Sequence, residues 1–555
     1  MSKQERNGAK ALIDTLTNAG IEVCFTNPGT SEMHFVSALD SSNMRAVLTL
    51  FEGVATGAAD GYARIAEKPA ATLLHLGCGL GNGLANLHNA RKARVPMVNI
   101  VGDHATYHVE YDAQLQSDIE TVARNVSKWV RTSKTTADIG NDAAEAIKVA
   151  QGHPQQISTL ILPADVSWSK GGTAVSDFSQ EDPSAASQEV VGEIADILQK
   201  SGKKTIILLG RRVLMEEGLM MASKIAEKTG ATLFTEVFPT RLQRGAGLPY
   251  VERIAYLAEM AAVQLKGYKH MILIDAKAPV SFFGYPGKKS YLVPDKCKVH
   301  NLVELEQDAL KSLKALEEAV GASDTPPKLQ DAERPDLPSG KLNAEKVMQA
   351  IGALLPENAI ISDEAQTSGV KLAVNTVGAP KHDVLTLTGG AIGQGLPVAI
   401  GAAIAGKNRP VLALVGDGSS MYTIQSLWTI VAENLDVTTV IFNNSSYAIL
   451  NIELERVGAE KIGPKAKAQL DISKPPIDFV SIAEGMGMPA FRAETAKDFN
   501  EALKAAFEEP GPHLIEAVVP SEYQGIKLKA LPYLLNSLKV MPLSVAKAIK
   551  KKFAP

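Results

Sequence analysis

The sequence predicts an α/β protein of three doubly wound parallel-sheet domains. Three observations lead there. Glycine is abundant, 44 in 555 residues, while aromatic residues make up only 5 %, as suits a chain with many tight strand–helix turns. Short apolar runs alternate with helix-period segments along the whole chain. Two stretches, Gly171–Ser187 and Ala322–Gly340, have the Gly, Ser, Pro and charge content of exposed connections. They divide the chain into residues 1–170, 188–321 and 341–525, followed by a tail, 526–555.

In the first block, Ala46–Phe51, Ala71–Leu76 and Val95–Val101 read as strands, and Gly83–Ala93 as a helix. In the second, Thr205–Leu209 and Met271–Ile274 are strand-like. Between them Met215–Thr229 has helical periodicity and stops at Gly230, a plausible left-handed cap. In the third, Ala359–Ile361, Val411–Val415 and Thr438–Phe442 are strands, with a helix near Ile424–Glu433. Strand–helix–strand order calls for parallel sheets covered on both faces. Such sheets bind ligands beyond the carboxyl ends of their strands, so the loops after strands are the candidate sites.

Composition narrows the function classes. Lys and Arg number 57 and Asp and Glu 61, a net charge of −4, which gives no electrostatic case for nucleic acid as partner. The three cysteines, Cys24, Cys78 and Cys297, form no metal or redox spacing and imply reduced thiols in a cytoplasmic protein. The charged N-terminus lacks the apolar core of a signal peptide, and no apolar run reaches the ~18 residues that would cross a membrane. The tail, with LPYLLNSLKV followed by Lys547, Lys550, Lys551 and Lys552, has an apolar helical pattern. It is either a lid or a segment fixed on its own domain.

The most informative loops are in the third block. Gly416-Asp417-Gly418-Ser419 follows one strand and Asn443-Asn444 follows the next, with 24 residues between Gly418 and Asn443. That is room for a turn, a helix and a return strand, so Asp417 and Asn444 fall at one sheet edge. A carboxylate and an amide oxygen placed there suit Mg²⁺, which takes hard oxygen ligands together with phosphate oxygens. The glycines admit a diphosphate close to the backbone, and a helix N-terminus after Ser419 favours its charge.

This pair of motifs resembles the signature of the thiamine-diphosphate-dependent enzymes. The resemblance implies Asp417, Asn444 and the carbonyl of Ser446 as metal ligands, with Gly416, Gly418 and Ser419 on the diphosphate. The loop Thr388-Gly389-Gly390-Ala391-Ile392-Gly393-Gln394-Gly395-Leu396-Pro397 is similar to the family's aminopyrimidine loop. It implies the Gly390 carbonyl as an acceptor and Ile392 as the side chain that bends the cofactor. Ser362–Ser368 follows a strand and supplies either diphosphate contacts, through Thr367, or an ordinary helix cap.

Glu52 precedes an Ala/Gly-rich helix ending in Gly61-Tyr62-Ala63-Arg64. Alone, it reads as a dipole-friendly cap. Beside the metal signature, it resembles the family's activating glutamate, a carboxyl group on the pyrimidine N1′ that promotes loss of the thiazolium C2 proton. Asn27-Pro28-Gly29-Thr30 resembles the benzoylformate decarboxylase subgroup and places Thr30 at its active-site serine; a Pro-Gly turn with a capping threonine is the plainer reading. His75, before the glycine-rich Gly77–Gly83, falls at the subgroup's active-site histidine. That glycine run lacks the spacing of a dinucleotide fingerprint.

Three departures shape the substrate expectation. The subgroup's second histidine is Gly284 here, within Ser281-Phe282-Phe283-Gly284-Tyr285. The histidine pair of pyruvate decarboxylases is replaced by Tyr111-Asp112, leaving His104 and His108 as loop residues that either contact substrate or do not. No arginine-rich segment matches the FAD-binding stretch of acetolactate synthases, so no FAD is expected. Phe282 and Phe283 either line a pocket or pack. The resemblance therefore implies an acetolactate synthase-like carboligase using thiamine diphosphate and Mg²⁺. It would decarboxylate a 2-oxo acid to an enamine, then form a carbon–carbon bond with an aldehyde or second oxo acid. The alternatives are a non-oxidative decarboxylase of the benzoylformate type, a FAD-dependent oxidase of the same superfamily and a non-catalytic thiamine-diphosphate-binding protein. Family members place the cofactor between subunits, which implies a homodimer or homotetramer with Glu52 and Asp417 meeting across an interface.

Overall fold

The computed structural model describes residues 6–179, 182–459 and 463–521, with 530–531, 534–535, 537–538 and 541–553 of the tail. Eighteen strands form three sheets among these residues. The first holds β1 (Val23–Asn27), β2 (Arg45–Leu48), β3 (Ala70–Leu74), β4 (Met97–Asp103), β5 (Trp129–Thr132) and β6 (Ile157–Pro163) in the order β2-β1-β3-β4-β6-β5. Every pairing in it is parallel. Strands β3 and β4 are buried along nearly their full length, as sheets covered on both faces require.

The second sheet holds β7 (Thr205–Leu209), β8 (Thr232–Thr235), β10 (Glu252–Arg253), β11 (His270–Ile274) and β12 (Lys298–Asn301), in the order β10-β8-β7-β11-β12. Its helix Glu216–Thr229 ends on Gly230 at φ +78°, the left-handed cap anticipated from the sequence. The remaining strand of this block, β9 (Leu242–Arg244), departs from a simple three-domain reading. It leaves its own sheet and pairs antiparallel with β14 at the edge of the third.

The third sheet is β13 (Ile360–Glu364), β14 (His382–Thr386), β15 (Val411–Gly416), β16 (Val437–Asn443), β17 (Ala490–Ala493) and β18 (Pro512–Val518), ordered β17-β18-β16-β15-β13-β14-β9. It is thus parallel except for the donated strand. Because β13 runs to Glu364, Asp363 and Glu364 lie on the strand end and not in the following loop.

Two helices tie the first block to the third. Helix α1 (Glu52–Ala66) crosses α4 (Gly395–Gly406), and Val54, Ala58, Leu396, Val398 and Ile400 share one apolar core. A Cβ on Gly61 would lie 2.1 Å from the Val398 carbonyl oxygen, and one on Gly401 1.8 Å from that of Ala58. Only glycine permits this crossing. Helix α2 (Leu76–Ala93) begins seven residues before the expected Gly83, so the glycine run expected as a loop is helical. Its glycines serve close packing: a Cβ on Gly77 would strike the Ser117 hydroxyl, and one on Gly79 the Glu52 carboxylate.

In the tail, Leu531, Leu535, Leu538 and Ala546 pack on Met260 and Val263 of α3 (Ala258–Leu265) and on Ile452 of α5 (Ala448–Arg456). That part is fixed on its own chain. The rest of the tail, 526–529, 532–533, 536, 539–540 and 554–555, over which the lid reading also extends, lies outside the described residues. The connection Ala322–Gly340 is coil but anchored, with Arg334 donating to the carbonyls of Ala353 and Leu355.

Candidate active site

Three strand ends and two helix starts build the site. Glu52 is the first residue of α1, reached from β2 through Phe51, and is buried. Asn82 on α2 donates to its carboxylate at 3.0 Å, and Gly79 keeps the space beside it open. One turn along α2, the Asn86 side-chain amide donates to both the Gly53 carbonyl (2.8 Å) and the Gly393 carbonyl (3.2 Å). The start of α1 is thereby fixed to the glycine loop of the third block.

That loop is held from every side. Asn89 accepts from the Ala391 N–H and donates to the Ala391 carbonyl, and the Thr423 hydroxyl donates to the Gly393 carbonyl. Glu364 accepts the N–H groups of Gly393 and Gly395, each at 2.6 Å. Burial pushes the Glu364 carboxyl up to about 7, against the lowering effect of those N–H bonds. Gly390 has φ +77° and faces the Phe282 ring, where a Cβ would lie 2.3 Å from the ring carbon. Phe282 therefore reaches the loop, and Ile392 stands half-buried beside it.

The Gly-Asp-Gly-Ser and Asn-Asn motifs do meet. Strands β15 and β16 pair in parallel to Gly416↔Phe442. Asp417 Oδ2 accepts from the N–H groups of Asn444 (2.9 Å) and Ser445 (2.6 Å), and Oδ1 from Gly418 (2.8 Å). The helix expected after Ser419 is instead one turn, Asp417–Ser420, that includes the motif itself. Asn444 Oδ1 accepts from the Ser446 N–H, and Ser445 sits at φ +54°.

Asp417 is 4 % exposed, burial raises its pKa against the lowering effect of backbone N–H groups, and it makes no ion pair among the described residues. A buried carboxylate without a cation is costly, and its oxygens have lone pairs to spare beyond those N–H bonds. The oxygen donor set of Asp417, Asn444 and Ser446 thus fits Mg²⁺. Gly418 packs against Tyr447, with no room for a Cβ. Thr367 lies in the turn Gln366–Gly369 after β13, facing a cavity.

On the first sheet, His75 caps α2 and Thr30 is exposed in the turn after β1. The sequence reading missed the residue between them. Glu32 is fully buried and accepts from His75 Nδ1 (2.8 Å), the Gly29 N–H (2.7 Å) and the Ser31 hydroxyl (2.5 Å). It therefore orients the imidazole. The only sequence signal is a glutamate two residues past the Asn-Pro-Gly-Thr turn. In the neighbouring loop the His108 ring lies tilted against both His104 and Tyr111. Helices α1 and α4 cross within one chain, at the glycine positions described above.

Comparison with known proteins gives the family. Residues 6–124 match the family model described as thiamine pyrophosphate enzyme, N-terminal TPP binding domain, and residues 369–517 the corresponding C-terminal TPP binding domain. A protein named "Putative acetolactate synthase large subunit IlvX" of Mycobacterium tuberculosis is 58 % identical, over 93 % of this chain and 99 % of its own. The benzoylformate decarboxylase of Pseudomonas aeruginosa is 27 % identical over 92 % and 98 %. In fold, the chain is similar to the thiamine diphosphate-dependent 4-hydroxybenzoylformate decarboxylase of Rhodococcus jostii (TM-score 0.81, 23 % identity, 93 % and 99 % covered). It is likewise similar to the benzoylformate decarboxylase of Polynucleobacter necessarius (0.80, 22 %, 94 % and 100 %).

Proposed function

The chain belongs to the thiamine pyrophosphate enzyme family, and from that premise we propose that it is an acetolactate synthase-like carboligase dependent on thiamine diphosphate and Mg²⁺. It would remove CO₂ from a 2-oxo acid and join the remaining acyl carbon to a second carbonyl compound. One observation carries this reading. Asn86 clamps the Glu52 end of α1 to the glycine loop, so an acid and a cofactor-sized backbone cradle are held in fixed relation.

When bound, thiamine diphosphate supplies the electron sink for decarboxylation. The chain's own residues bind, orient and move protons. Asp417, Asn444 and the Ser446 carbonyl would hold Mg²⁺, with Gly416, Gly418, Ser419 and Thr367 against the diphosphate. The Gly390 carbonyl and the Ile392 side chain would fix the pyrimidine ring. Glu52, kept from bulk water and donated to by Asn82, would exchange a proton with that ring. His75, oriented by Glu32, and the exposed Thr30 hydroxyl face the substrate side. Gly284 offers no second proton-transfer group, which favours carbon–carbon bond formation over protonation to a free aldehyde; loss of such a group costs ~10²–10⁴-fold.

Leu48 and Leu50 before Glu52, and Met421 and Tyr422 after the metal motif, are 41–53 % exposed, an apolar rim suited to a second copy in a homodimer or homotetramer. Three unpaired cysteines accord with a cytoplasmic setting.

The test supplies purified protein with thiamine diphosphate, Mg²⁺ and a panel of 2-oxo acids, with and without aldehyde acceptors, following CO₂ and product mass. Coupled hydroxyketone or acetohydroxy acid is expected. Free aldehyde alone would establish a simple decarboxylase, and absence of CO₂ from every acid would overturn the reading. Chelation by EDTA should abolish turnover, a flavin spectrum would favour the oxidase alternative, and sedimentation as an active monomer would refute the oligomer.

A further inference from the structure

A cavity of about 200 Å³ lies between the second block and the third, where β10 faces the loop after β13. Glu364, Gln366 and Thr367 line it, and Glu364 is the residue that holds the N–H groups of Gly393 and Gly395. Through Glu364 the cavity adjoins the glycine loop of the candidate active site. Phe238, Tyr256 and Ile449 give it apolar walls, while Arg244, Arg253, Asp363 and Glu364 are its ionisable groups.

The guanidinium groups are incompletely paired. Arg253 is 3.9 Å from Asp363, too far for a hydrogen bond, and its side chain is 38 % exposed. Arg244 spends one donor on the Ala373 carbonyl at 2.6 Å, and its Nε is buried without a partner. Two guanidinium groups thus face Asp363 and Glu364 across a largely apolar space, and the Glu364 oxygens are already engaged by the Gly393 and Gly395 N–H groups. A guanidinium presents donors in a planar fork that matches carboxylate and phosphate oxygens.

We propose that this cavity seats a second anionic group of the 2-oxo acid substrate, a carboxylate or phosphate at the end remote from the reacting carbonyl. The assignment rests on the decarboxylating function argued above. The carboxylate that departs as CO₂ is a poor occupant, because it gives up its charge during the reaction. Arginines placed on it would stabilise the ground state more than the transition state and slow the step. The remote anion keeps its charge throughout, so its binding anchors the substrate without opposing the chemistry. The substrate class is then a dicarboxylic or phosphorylated 2-oxo acid, with its apolar chain along Phe238 and Ile449.

Binding is read by calorimetry on the protein loaded with thiamine diphosphate and Mg²⁺. The probes are glutarate, which cannot react, its uncharged dimethyl ester, inorganic phosphate and ADP. Glutarate is expected to bind about 10–100-fold more tightly than the ester, the ratio that charged hydrogen bonds of this kind produce. Arg253→Gln should collapse that ratio, and Arg253→Lys, which keeps the charge, should retain most of it; thermal melts identify a variant that has lost its fold. Equal affinity for glutarate and the ester in the unaltered protein overturns the proposal without any mutation. Phosphate binding without glutarate binding, or ADP binding that glutarate does not displace, assigns the cavity to a free anion or a nucleotide and likewise overturns it. CO₂ release from 2-oxoglutarate and from its 5-methyl ester separates the two levels of inference. Silence with both acids while glutarate still binds defeats the functional reading alone, whereas an equal or higher kcat/KM for the ester defeats this proposal alone.

Discussion

The buried Glu32 offers the sharpest test of the site, through a double-mutant cycle with His75. A carboxylate only accepts hydrogen bonds, so its contact with Nδ1 places a proton there and leaves Nε2 free toward the cleft. In Glu32→Gln the amide nitrogen has one tolerable position. At Oε2 it would confront the Gly29 N–H, a donor against a donor, whereas at Oε1 it meets the Ser31 hydroxyl, which can turn to accept. The variant therefore keeps the imidazole orientation but loses the charge behind it. A charge-assisted hydrogen bond is roughly twice as strong as a neutral one, which leaves a deficit of about 1–1.5 kcal/mol and about a tenfold slower turnover wherever protonated His75 takes part.

Removing the imidazole itself, in His75→Phe, should cost ~10²–10⁴-fold. Since Glu32 acts through His75, the double variant Glu32→Gln/His75→Phe should be no slower than His75→Phe alone. Steady-state kcat and KM, measured with CO₂ release on all four proteins, decide the matter. If the Glu32→Gln loss persists undiminished in the His75→Phe background, Glu32 supports the turn after β1 and not the imidazole, and the reasoning fails.

Other expectations follow from individual contacts. Glu52→Gln should lower turnover by ~10²–10⁴-fold while calorimetry still shows thiamine diphosphate binding; unaltered turnover would remove Glu52 from the mechanism. Arg64→Met leaves the buried Asp60 of α1 without its doubly bonded guanidinium partner, and should cost ~3–5 kcal/mol in urea unfolding. Stability carries a component from Glu364, whose folded pKa is raised to about 7 from 4.5. The folded chain then holds a proton that the unfolded chain releases, so this component is fully present at and below the unfolded pKa and is lost as pH rises through about 7. Unfolding midpoints of the unaltered protein and Glu364→Gln, compared between pH 4.5 and 8, should diverge in that direction; parallel curves would refute it.

The parts of the site legible in the sequence are those whose chemistry is local. Gly-Asp-Gly-Ser and Asn-Asn each end a strand, so β15 and β16 had only to pair as neighbours for Asp417 to meet the Asn444 N–H. Glu52 was legible through the small-residue helix it begins. Glu32 was not, because its partner His75 lies 43 residues on and nothing in a single glutamate announces a fully buried carboxylate. The strand Leu242–Arg244 was equally hidden, since its pairing partner β14 belongs to another block. The run Gly77–Gly83 misled in the opposite sense. Local rules read clustered glycines as loop, but here tertiary contact with Ser117, Glu52 and Thr56 makes a glycine helix the one that fits.

That same exchange of local preference for proximity explains how the two halves of the site are held. Glycine inside a helix sacrifices ~1 kcal/mol relative to alanine, and Gly57, Gly61 and Gly401 all lie inside α1 or α4. At each of them a Cβ would collide with the opposite helix, at Gly57 with the Pro397 ring and at the other two with backbone. Backbone-to-backbone approach cannot be loosened by rotating a side chain, so the crossing has little freedom to slide. Asn86 and the bidentate Asp60–Arg64 pair, whose guanidinium also donates to the Thr386 carbonyl at 2.8 Å, lock the same crossing by hydrogen bonds. Glu52 begins one of these helices and the glycine loop leads into the other. Local stability given up along the helices is thereby converted into a fixed spacing between the start of α1, where Glu52 stands, and the glycine loop before α4, which a chain chosen only for helix propensity would not provide.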